Sequence, residues 1–542
     1  MRAQVTEENR ASADSHSNLS LFVKSIGAAL LAAAVVFGFT ARFSGYLVDD
    51  AYIGFQYLRN VCLGHGFVFC AGQPPVEGVT NLGWLLLLLP WGSSPMLSSV
   101  AQWIGAGFAW GAILLTLYIR VRQQEHAENE SAIVVFAPSL LLLFSSDFLY
   151  FSSGGMETGF MAFCVLLPVV WLSADLSCTW KLGLFGGLLT LVRPESVLIL
   201  PGFLLVRRVW GRGSEGSGAA NQSAASDSFS GMFIAWTLFL VLCALLRLWY
   251  FGMPLPNTFW SKPGSVTLLA GQLINSFLGV HSNLTFPFST TFIFIVPVIL
   301  AGWWYRRGQS SARRTDWLLA VTMTGLVFAV SAPLDWTKTG RYFAPYLGAA
   351  LLLLWDGLTV LTRSVLSWFK MPKASSTTLL LLVELLLLTA VCDFGIRFSE
   401  SRLAQYPGYV LVSRPLFPGA QWLAENTAPN AVVASRRIGV LAFVSGRRVF
   451  DYLNGLTEPE VARLVSRRRQ PLSGPHDPDL KGIWLRVNPD YVLEDESEMQ
   501  KIARECGGTV ERMVIHGTPY VQCQRFSLGA QDWVLLRRSS SE

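Results

Sequence analysis

Apolar runs near the length needed to cross a bilayer recur along the first 393 positions of the chain. A helix needs about 20 mostly apolar residues to span the hydrocarbon core of a membrane. Only 14% of the 542 residues are charged, whereas soluble proteins average about 25%. So few charged residues provide too little polar surface to cover a globule of this size. The sequence therefore predicts a polytopic α-helical membrane protein.

The placement of charge orients the predicted spans. The net charge is +6, and basic residues cluster in short loops such as Arg306–Arg314 and Arg363–Lys373. Such loops are typical of the cytoplasmic side of a membrane, so we expect the amino terminus inside and the carboxyl terminus outside. The same placement argues against a nucleic-acid partner. The predicted spans lie near 21–40, 100–119, 132–150, 157–173, 232–250, 286–304, 317–333, 343–362 and 377–393.

The run 182–208 is predicted to be a hairpin that enters the membrane and turns back. Its centre holds Arg193, Pro194 and Glu195, and a proline between two charges breaks a helix. Counting the hairpin as two short helices, the chain has about eleven membrane helices.

Composition divides the chain into three parts. Residues 1–20 are polar and Ser-rich, which predicts a disordered cytoplasmic tail. Residues 21–393 form the membrane domain, with a long outer loop at 42–103. From 394 to 542 helical and strand patterns alternate, which predicts an extracytoplasmic α/β domain.

No cofactor or metal is predicted. The chain has neither a glycine-rich phosphate loop nor a Cys/His cluster with zinc spacing. Among its eight cysteines, Cys62 with Cys70 and Cys506 with Cys523 lie outside the predicted spans. Either pair could form a disulfide in an oxidising compartment.

Two adjacent carboxylates, Asp49 and Asp50, open the outer loop directly after the first span. Near a bilayer the two repel each other in a reduced dielectric, so one holds its proton more tightly. Such a carboxylate suits a general base that activates a hydroxyl group. The alternative is local, since Asp is favoured at helix N-caps and 51–59 has a helical pattern. These residues alone leave both interpretations open.

Further polar residues of this loop are expected at the membrane face. His65 lies between two glycines, and Glu77, Thr80 and Asn81 precede the apolar run 82–89. Polar groups there suit recognition of a polar lipid head. The alternative is that Thr80 or Asn81 caps the next helix.

The ordered segments DDAYIGFQYLRN, GHGFVF and PPVEGVTN resemble the first-loop signature of bacterial C-type-fold (GT-C) glycosyltransferases that use polyprenyl-phosphate sugars. The similarity is closest to the mycobacterial-type terminal arabinofuranosyltransferases and the pilin arabinosyltransferases. Further matches follow in order along almost the whole chain: GMET at 155–158, RPE at 193–195, PLPNTF at 254–259 and GRY at 340–342. The chain departs at Gly54 and Gln56, where the family often has Ser and Arg.

The resemblance implies a multi-pass protein of the bacterial inner membrane that transfers a sugar, arabinofuranose, from a polyprenyl-phosphate donor. The acceptor would be a hydroxyl of an envelope glycan or of a pilin Ser/Thr, and Asp49 or Asp50 would accept its proton. The alternative from another class is a lipid-linked sugar flippase. Transporters commonly carry internal repeats, and none is visible here.

A donor phosphate implies cations that face the same cavity. The candidates are Arg341, Lys262 and Arg193, of which an arginine can bind phosphate through two parallel hydrogen bonds. The alternatives are that Lys262 snorkels at the interface and that Arg193 pairs with Glu195 or Glu157.

The remaining substrate-binding candidates come from the matched motifs and from one outer loop. Trp336 offers an aromatic face to a sugar ring, or else is an interfacial anchor. The motif residues are Glu157, Glu195, Asn257 and Tyr342.

Overall fold

The computed structural model describes most of the chain. The described residues are 23–45, 47–124, 132–172, 179–210, 219–260, 288–309, 312–331, 340–368, 416–468, 472–528 and 531–539. Lys262, Trp336, the 1–20 tail and the span predicted near 377–393 lie outside these ranges.

Helices dominate the described residues before position 369. They are α1 (Val23–Arg42), α2 (Asp49–Cys62), α3 (Leu82–Leu88), α4 (Leu97–Gln124), α5 (Ala132–Leu143), α6 (Ser146–Ser153), α7 (Thr158–Trp171), α8 (Thr179–Val192), α9 (Ile199–Trp210), α10 (Ala219–Phe251), α11 (Asn257–Trp260), α12 (Phe288–Gln309), α13 (Ala312–Ser331) and α14 (Leu347–Trp368). Within the described ranges, four helical segments are long and apolar enough to cross a membrane, and a bent helix pair is a fifth candidate. The total of about eleven membrane helices stays a prediction.

The span predicted at 132–150 is not one straight helix, because the chain bends within it. Helices α5 and α6 meet at an angle of 57°. The side chain of Ser145 accepts a hydrogen bond from the backbone N–H of Phe148 and so caps α6. A capping serine offers the backbone an alternative to a continuous helix.

The helix break predicted at Arg193–Glu195 is confirmed. Helix α8 ends at Val192, a 3-10 turn occupies Pro194–Leu198, and α9 begins at Ile199. Pro194 stands in the first turn of the 3-10 segment, where its missing N–H costs nothing. The break places both charged residues of the RPE motif at an interior turn.

A mixed sheet with helices forms the carboxyl-terminal domain, as predicted. Its elements are α15 (Leu416–Asn426), β1 (Val432–Ala434), α16 (Gly439–Ser445), β2 (Arg448–Phe450), α17 (Pro459–Arg468), α18 (Lys481–Val487), β3 (Tyr491–Asp495), α19 (Glu496–Glu505), β4 (Arg512–Ile515), β5 (Thr518–Leu528) and β6 (Gln531–Arg538). The strand order is β2-β1-β3-β6-β5-β4, parallel where β1 meets β2 and β3 and antiparallel elsewhere.

An apolar core joins α2 to this domain. Tyr52 of α2 is 4% exposed and belongs to the same buried cluster as Leu441 of α16 and Leu535 of β6. Its ring also meets those of Phe417 and Phe443, with centroids 5.7 Å and 5.5 Å away. The carboxyl-terminal domain is therefore packed onto α2.

Neither disulfide considered from the sequence is formed, since Cys62, Cys70, Cys506 and Cys523 are free thiols in the structure. Burial raises the pKa of Cys70 to about 11. A thiol held in its protonated form is a poor nucleophile.

Candidate active site

Asp50 of α2 and Arg341 form an ion pair. The Oδ2 atom of Asp50 and the Nη2 atom of Arg341 are 2.7 Å apart. The Asp50 side chain is 33% exposed and that of Arg341 is 14% exposed. The pair brings the first-loop motif and the GRY motif together at a position open to solvent.

The segment that carries Arg341 is held by α6. The backbone N–H of Gly340 donates a hydrogen bond of 3.1 Å to Oδ2 of Asp147, which is 2% exposed. Asp147 lies in the first turn of α6, directly after the bend between α5 and α6.

Asp49 faces the carboxyl-terminal domain. Its Oδ1 accepts a hydrogen bond of 2.8 Å from the backbone N–H of Val440, and its Oδ2 accepts one of 3.3 Å from that of Gly439. Those two N–H groups open α16, and the first N–H groups of a helix have no partner within it. The Asp49 carboxylate, 4% exposed, satisfies them from another domain.

Burial dominates the acid–base behaviour of Asp49. Removal from water raises the pKa of its carboxyl, and the neighbouring charge of Asp50 adds to the rise. The N–H donors of Val440 and Gly439 and the charge of Arg437 act in the opposite direction. Burial wins because a charged carboxylate loses its hydration there.

The two capping alternatives considered from the sequence have different outcomes. Val48 is the N-cap of α2, so Asp49 and Asp50 occupy the first helical turn. Asn81 stands at the N-cap of α3 but makes no side-chain cap hydrogen bond.

The glycine pair at 154–155 holds the start of α2. The carbonyl oxygen of Gly154 accepts a hydrogen bond from the N–H of Val48, and that of Gly155 accepts one from the indole of Trp84. Gly155 has a φ of +82°, and a Cβ there would lie 2.6 Å from Leu47 and 3.0 Å from Ala51. Only glycine combines this backbone conformation with so close an approach.

A buried polar network lies next to this turn. Asn81 donates to Glu157 at 2.9 Å, and Arg193 donates to Glu157 at 3.0 Å and to Glu195 at 2.5 Å. The hydroxyl of Tyr346 completes the network by donating to Glu195 at 3.1 Å. The side chains of Arg193, Glu157 and Glu195 are 8%, 6% and 3% exposed. Motifs that are far apart in the sequence therefore meet in this network.

Glu77 connects the loop to α10. Its Oε2 accepts a hydrogen bond of 2.8 Å from Nε of Arg247. Burial raises the pKa of Glu77, and the hydrogen bond and charge of Arg247 oppose that rise. The carbonyl oxygen of Glu77 accepts from the N–H of Asn257, whose side chain donates to the carbonyl oxygen of Leu456 at 3.1 Å. Asn257 thus connects the loop to the carboxyl-terminal domain.

The remaining sequence candidates have varied surroundings. His65 is exposed and Thr80 is half-buried. Tyr342 packs its ring edge against Phe328, with centroids 5.3 Å apart. Lys262 and Trp336 fall outside the described residues.

Three contributors were not predicted: Arg247, Asp147 and Tyr346. Arg247 carried a signal, because an arginine inside an apolar span is costly without a partner. Asp147 and Tyr346 had no such signal in the sequence, since each contacts a segment that is distant along the chain.

Among the described residues, no group of three or more His, Cys, Asp or Glu side chains is placed to hold a metal ion.

Known proteins share parts of this chain. Residues 412–537 match a family model described as a domain of unknown function (DUF8728). A terminal β-(1→2)-arabinofuranosyltransferase of Mycobacterium tuberculosis is 30% identical over 190 residues, which is 34% of this chain and 30% of that protein. The match thus spans less than a third of the relative's length.

Solved structures extend the likeness to most of the chain. The archaeal oligosaccharyltransferase AglB from Archaeoglobus fulgidus, in complex with an inhibitory peptide and a dolichol-phosphate, has a TM-score of 0.53 and 11% identity. The alignment covers 89% of this chain and 70% of that one. The chain has a GT-C fold.

The GT-C architecture and the multi-pass membrane character predicted from the sequence are therefore confirmed. ArnT from Cupriavidus metallidurans bound to undecaprenyl phosphate also aligns, over 95% of this chain and 97% of that one, with a TM-score of 0.47 and 13% identity.

Proposed function

We propose that this protein transfers a sugar from a polyprenyl-phosphate donor to a hydroxyl acceptor outside the cytoplasm, with Asp50 as the general base. The observation that carries the proposal is the solvent-accessible Asp50–Arg341 pair at 2.7 Å. It puts a proton acceptor beside a cation at the start of the first outer loop. The GT-C fold and the partial sequence match to a terminal β-(1→2)-arabinofuranosyltransferase support it.

The chemistry needs these two groups. The acceptor oxygen forms a bond to the anomeric carbon while the bond from that carbon to the phosphate oxygen breaks. Asp50 takes the acceptor proton, and polyprenyl phosphate leaves with the bonding electrons. Arg341 stabilises the charge that develops on the leaving phosphate, where donors placed in advance are most effective.

We assign Arg193 a supporting role and not direct phosphate binding. Its guanidinium is paired with Glu157 and Glu195 and is buried. Breaking those pairs to bind a phosphate would leave two buried carboxylates without their cation. The network instead holds the turns that carry Asn81 and Tyr346. The ion pair between Arg247 and Glu77 holds the loop before α3 to α10.

The donor sugar proposed is arabinofuranose, and the acceptor an envelope glycan or a pilin Ser/Thr hydroxyl. The 190-residue match to the terminal arabinofuranosyltransferase supports the sugar. The protein would lie in the inner membrane with its carboxyl-terminal domain outside, and the reaction needs no nucleotide.

The test is transfer by the purified full-length protein. Synthetic polyprenyl-phosphate arabinofuranose carrying a label is offered with either an arabinan oligosaccharide or a Ser/Thr-containing pilin peptide. We expect a labelled glycoside with one of them, and a loss of about 10²–10⁴-fold in turnover for Asp50→Asn. Asp479→Asn, an exposed change in the carboxyl-terminal domain, is the control. Movement of the lipid-linked sugar across vesicles without a new glycosidic bond would indicate a flippase instead.

A further inference from the structure

We propose that Asp49 is a positioning residue that docks the carboxyl-terminal domain on α2, so that both domains are needed to place Asp50. This inference rests on the proposed function, in which Asp50 accepts the proton. It gives the two adjacent carboxylates different roles, and it makes α16 one of the elements that position the active site.

The surroundings of Asp49 leave it no room to meet a substrate. Both carboxylate oxygens accept backbone N–H groups of α16, and the residue is 4% exposed. A negative charge at a helix N-terminus is stabilised by the unsatisfied N–H groups and by the helix dipole. Asp49 therefore acts as an N-terminal partner for a helix 390 residues away in the sequence.

Gly439 shows how close the docking is. A Cβ at this position would lie 2.0 Å from the backbone oxygen of Asp49 and 3.0 Å from its Oδ1. Real atoms do not approach so closely, and one of the clashing atoms is backbone that cannot rotate away. Position 439 must therefore lack a side chain if α16 is to rest on Asp49.

Further contacts fix the same interface along α2 and the loop behind it. Arg59 donates to the carbonyl oxygen of Phe443 at 2.5 Å, three turns of helix away from Asp49. A Cβ on Gly78 would lie 2.8 Å from the carbonyl oxygen of Leu456. The domain thus contacts α2 near both of its ends. Loss of the Asp49 contact removes the one that holds the end carrying Asp50.

The experiment compares Asp49→Asn, Asp49→Ala and Gly439→Ala in the full-length protein. Gly482→Ala is the matched control for the glycine, since a Cβ there meets nothing within 4 Å. Amide hydrogen exchange at residues 438–442 reports docking, and exchange in β3 and β6 reports whether the domain remains folded. Turnover and the donor KM are measured on the same samples.

We expect graded effects. Asparagine keeps one acceptor oxygen, so Asp49→Asn should speed exchange at 438–442 less than Asp49→Ala does. We expect kcat to fall about tenfold in Asp49→Asn and more than tenfold in Asp49→Ala. The donor KM should stay unchanged because Arg341 is untouched. Gly439→Ala should behave like Asp49→Ala although the carboxylate remains, and Gly482→Ala should behave like the wild type.

Three results would overturn the inference. The first is a complete and equal loss of turnover in Asp49→Asn and Asp49→Ala while amide exchange at 438–442 stays unchanged. That result would be expected if Asp49 were the general base. The second is faster exchange with full kcat. The third is a fully active Gly439→Ala protein. Exchange needs no substrate, so docking is tested even if the wild type transfers no sugar, and the two proposals fail separately.

Discussion

Asp49 and Asp50 are neighbours with opposite surroundings. Successive residues of a helix point about 100° apart, so one carboxylate faces α16 and the other faces Arg341. The difference in exposure, 4% for the Asp49 residue and 33% for the Asp50 side chain, decides which of them a hydroxyl acceptor can reach.

Arg341 should matter for the donor more than for the fold. A hydrogen bond to a charged group contributes about 1.5–3 kcal/mol, so Arg341→Gln should weaken donor binding and lower kcat/KM by about 10–100-fold. Arg341→Lys keeps the charge but loses the paired geometry, and should lie between Gln and the wild type. Kinetics against donor concentration at saturating acceptor check this. Equal kcat/KM for all three proteins would exclude Arg341 from the donor site.

Arg193 should matter for stability. Arg193→Gln leaves Glu157 and Glu195 buried without their cation, which costs about 3–5 kcal/mol. Arg525→Gln is the control, because its partner Glu496 is 32% exposed and exposed pairs contribute about 0–1 kcal/mol. Thermal unfolding in detergent compares them. If Arg193→Gln unfolds at the same temperature as the wild type but binds the donor poorly, Arg193 is a phosphate ligand.

The sequence could indicate candidate residues for the site, but not which of them meet. The aspartate pair and the RPE and GRY motifs stood out as polar groups beside apolar runs. Their pairing depends on contacts such as Asn81 with Glu157, which only the packing of α3 against the turn before α7 creates. The rotation of α2 that separates Asp49 from Asp50 is set by the carboxyl-terminal domain.

Among the elements, long apolar helices and most strands were predictable because their periodicity is local. The bend at Ser145 and the short helix α16 were not. Helix α16 has seven residues, too few for a periodic pattern, and its N-terminus is completed by Asp49 from the other domain. Helix α19 did carry a signal, since Asp495 accepts from the N–H of Glu498, a capping arrangement readable from sequence.

The glycine turn before α7 gives a test at this scale. Gly155→Ala and Gly64→Ala impose the same backbone strain, because both glycines have a φ of +82°, at about 1–2 kcal/mol. Only at Gly155 does the new methyl group also meet Leu47 and Ala51, which adds about 1–3 kcal/mol. Unfolding midpoints and turnover should therefore fall further for Gly155→Ala. Identical losses would mean that the turn does not hold α2.

Across the whole molecule, the carboxyl-terminal domain should lose stability as pH rises. Glu494 of β3 is fully buried beside Arg436 and accepts a hydrogen bond from Tyr452, and burial raises its pKa from 4.5 to about 7. The folded protein then binds more protons than the unfolded one between about pH 4.5 and 7, so stability falls across that window, by about 3 kcal/mol at most.

Glu494→Gln checks this pH dependence. The variant cannot ionise at this position, so its stability relative to the wild type should improve as pH rises from about 5 to 8. Thermal unfolding across that range measures the difference. Parallel pH profiles for the two proteins would show that Glu494 is not the group responsible.

The two domains act as one unit in this account. The GT-C membrane part supplies Arg341 and the buried network, α2 supplies the aspartates, and the sheet domain holds α2 in place through Asp49. Hydropathy and composition indicate the membrane part and the sheet domain separately. Their dependence on each other is visible only in the contacts between α2 and α16.

The most direct test of the central claim is the transfer assay with wild-type protein and Asp50→Asn side by side. We expect the wild type to convert labelled polyprenyl-phosphate arabinofuranose and a hydroxyl acceptor into a labelled glycoside. We also expect Asp50→Asn to bind the donor with unchanged affinity but to turn over about 10²–10⁴-fold more slowly. An Asp50→Asn protein that folds and transfers the sugar at the wild-type rate would contradict it.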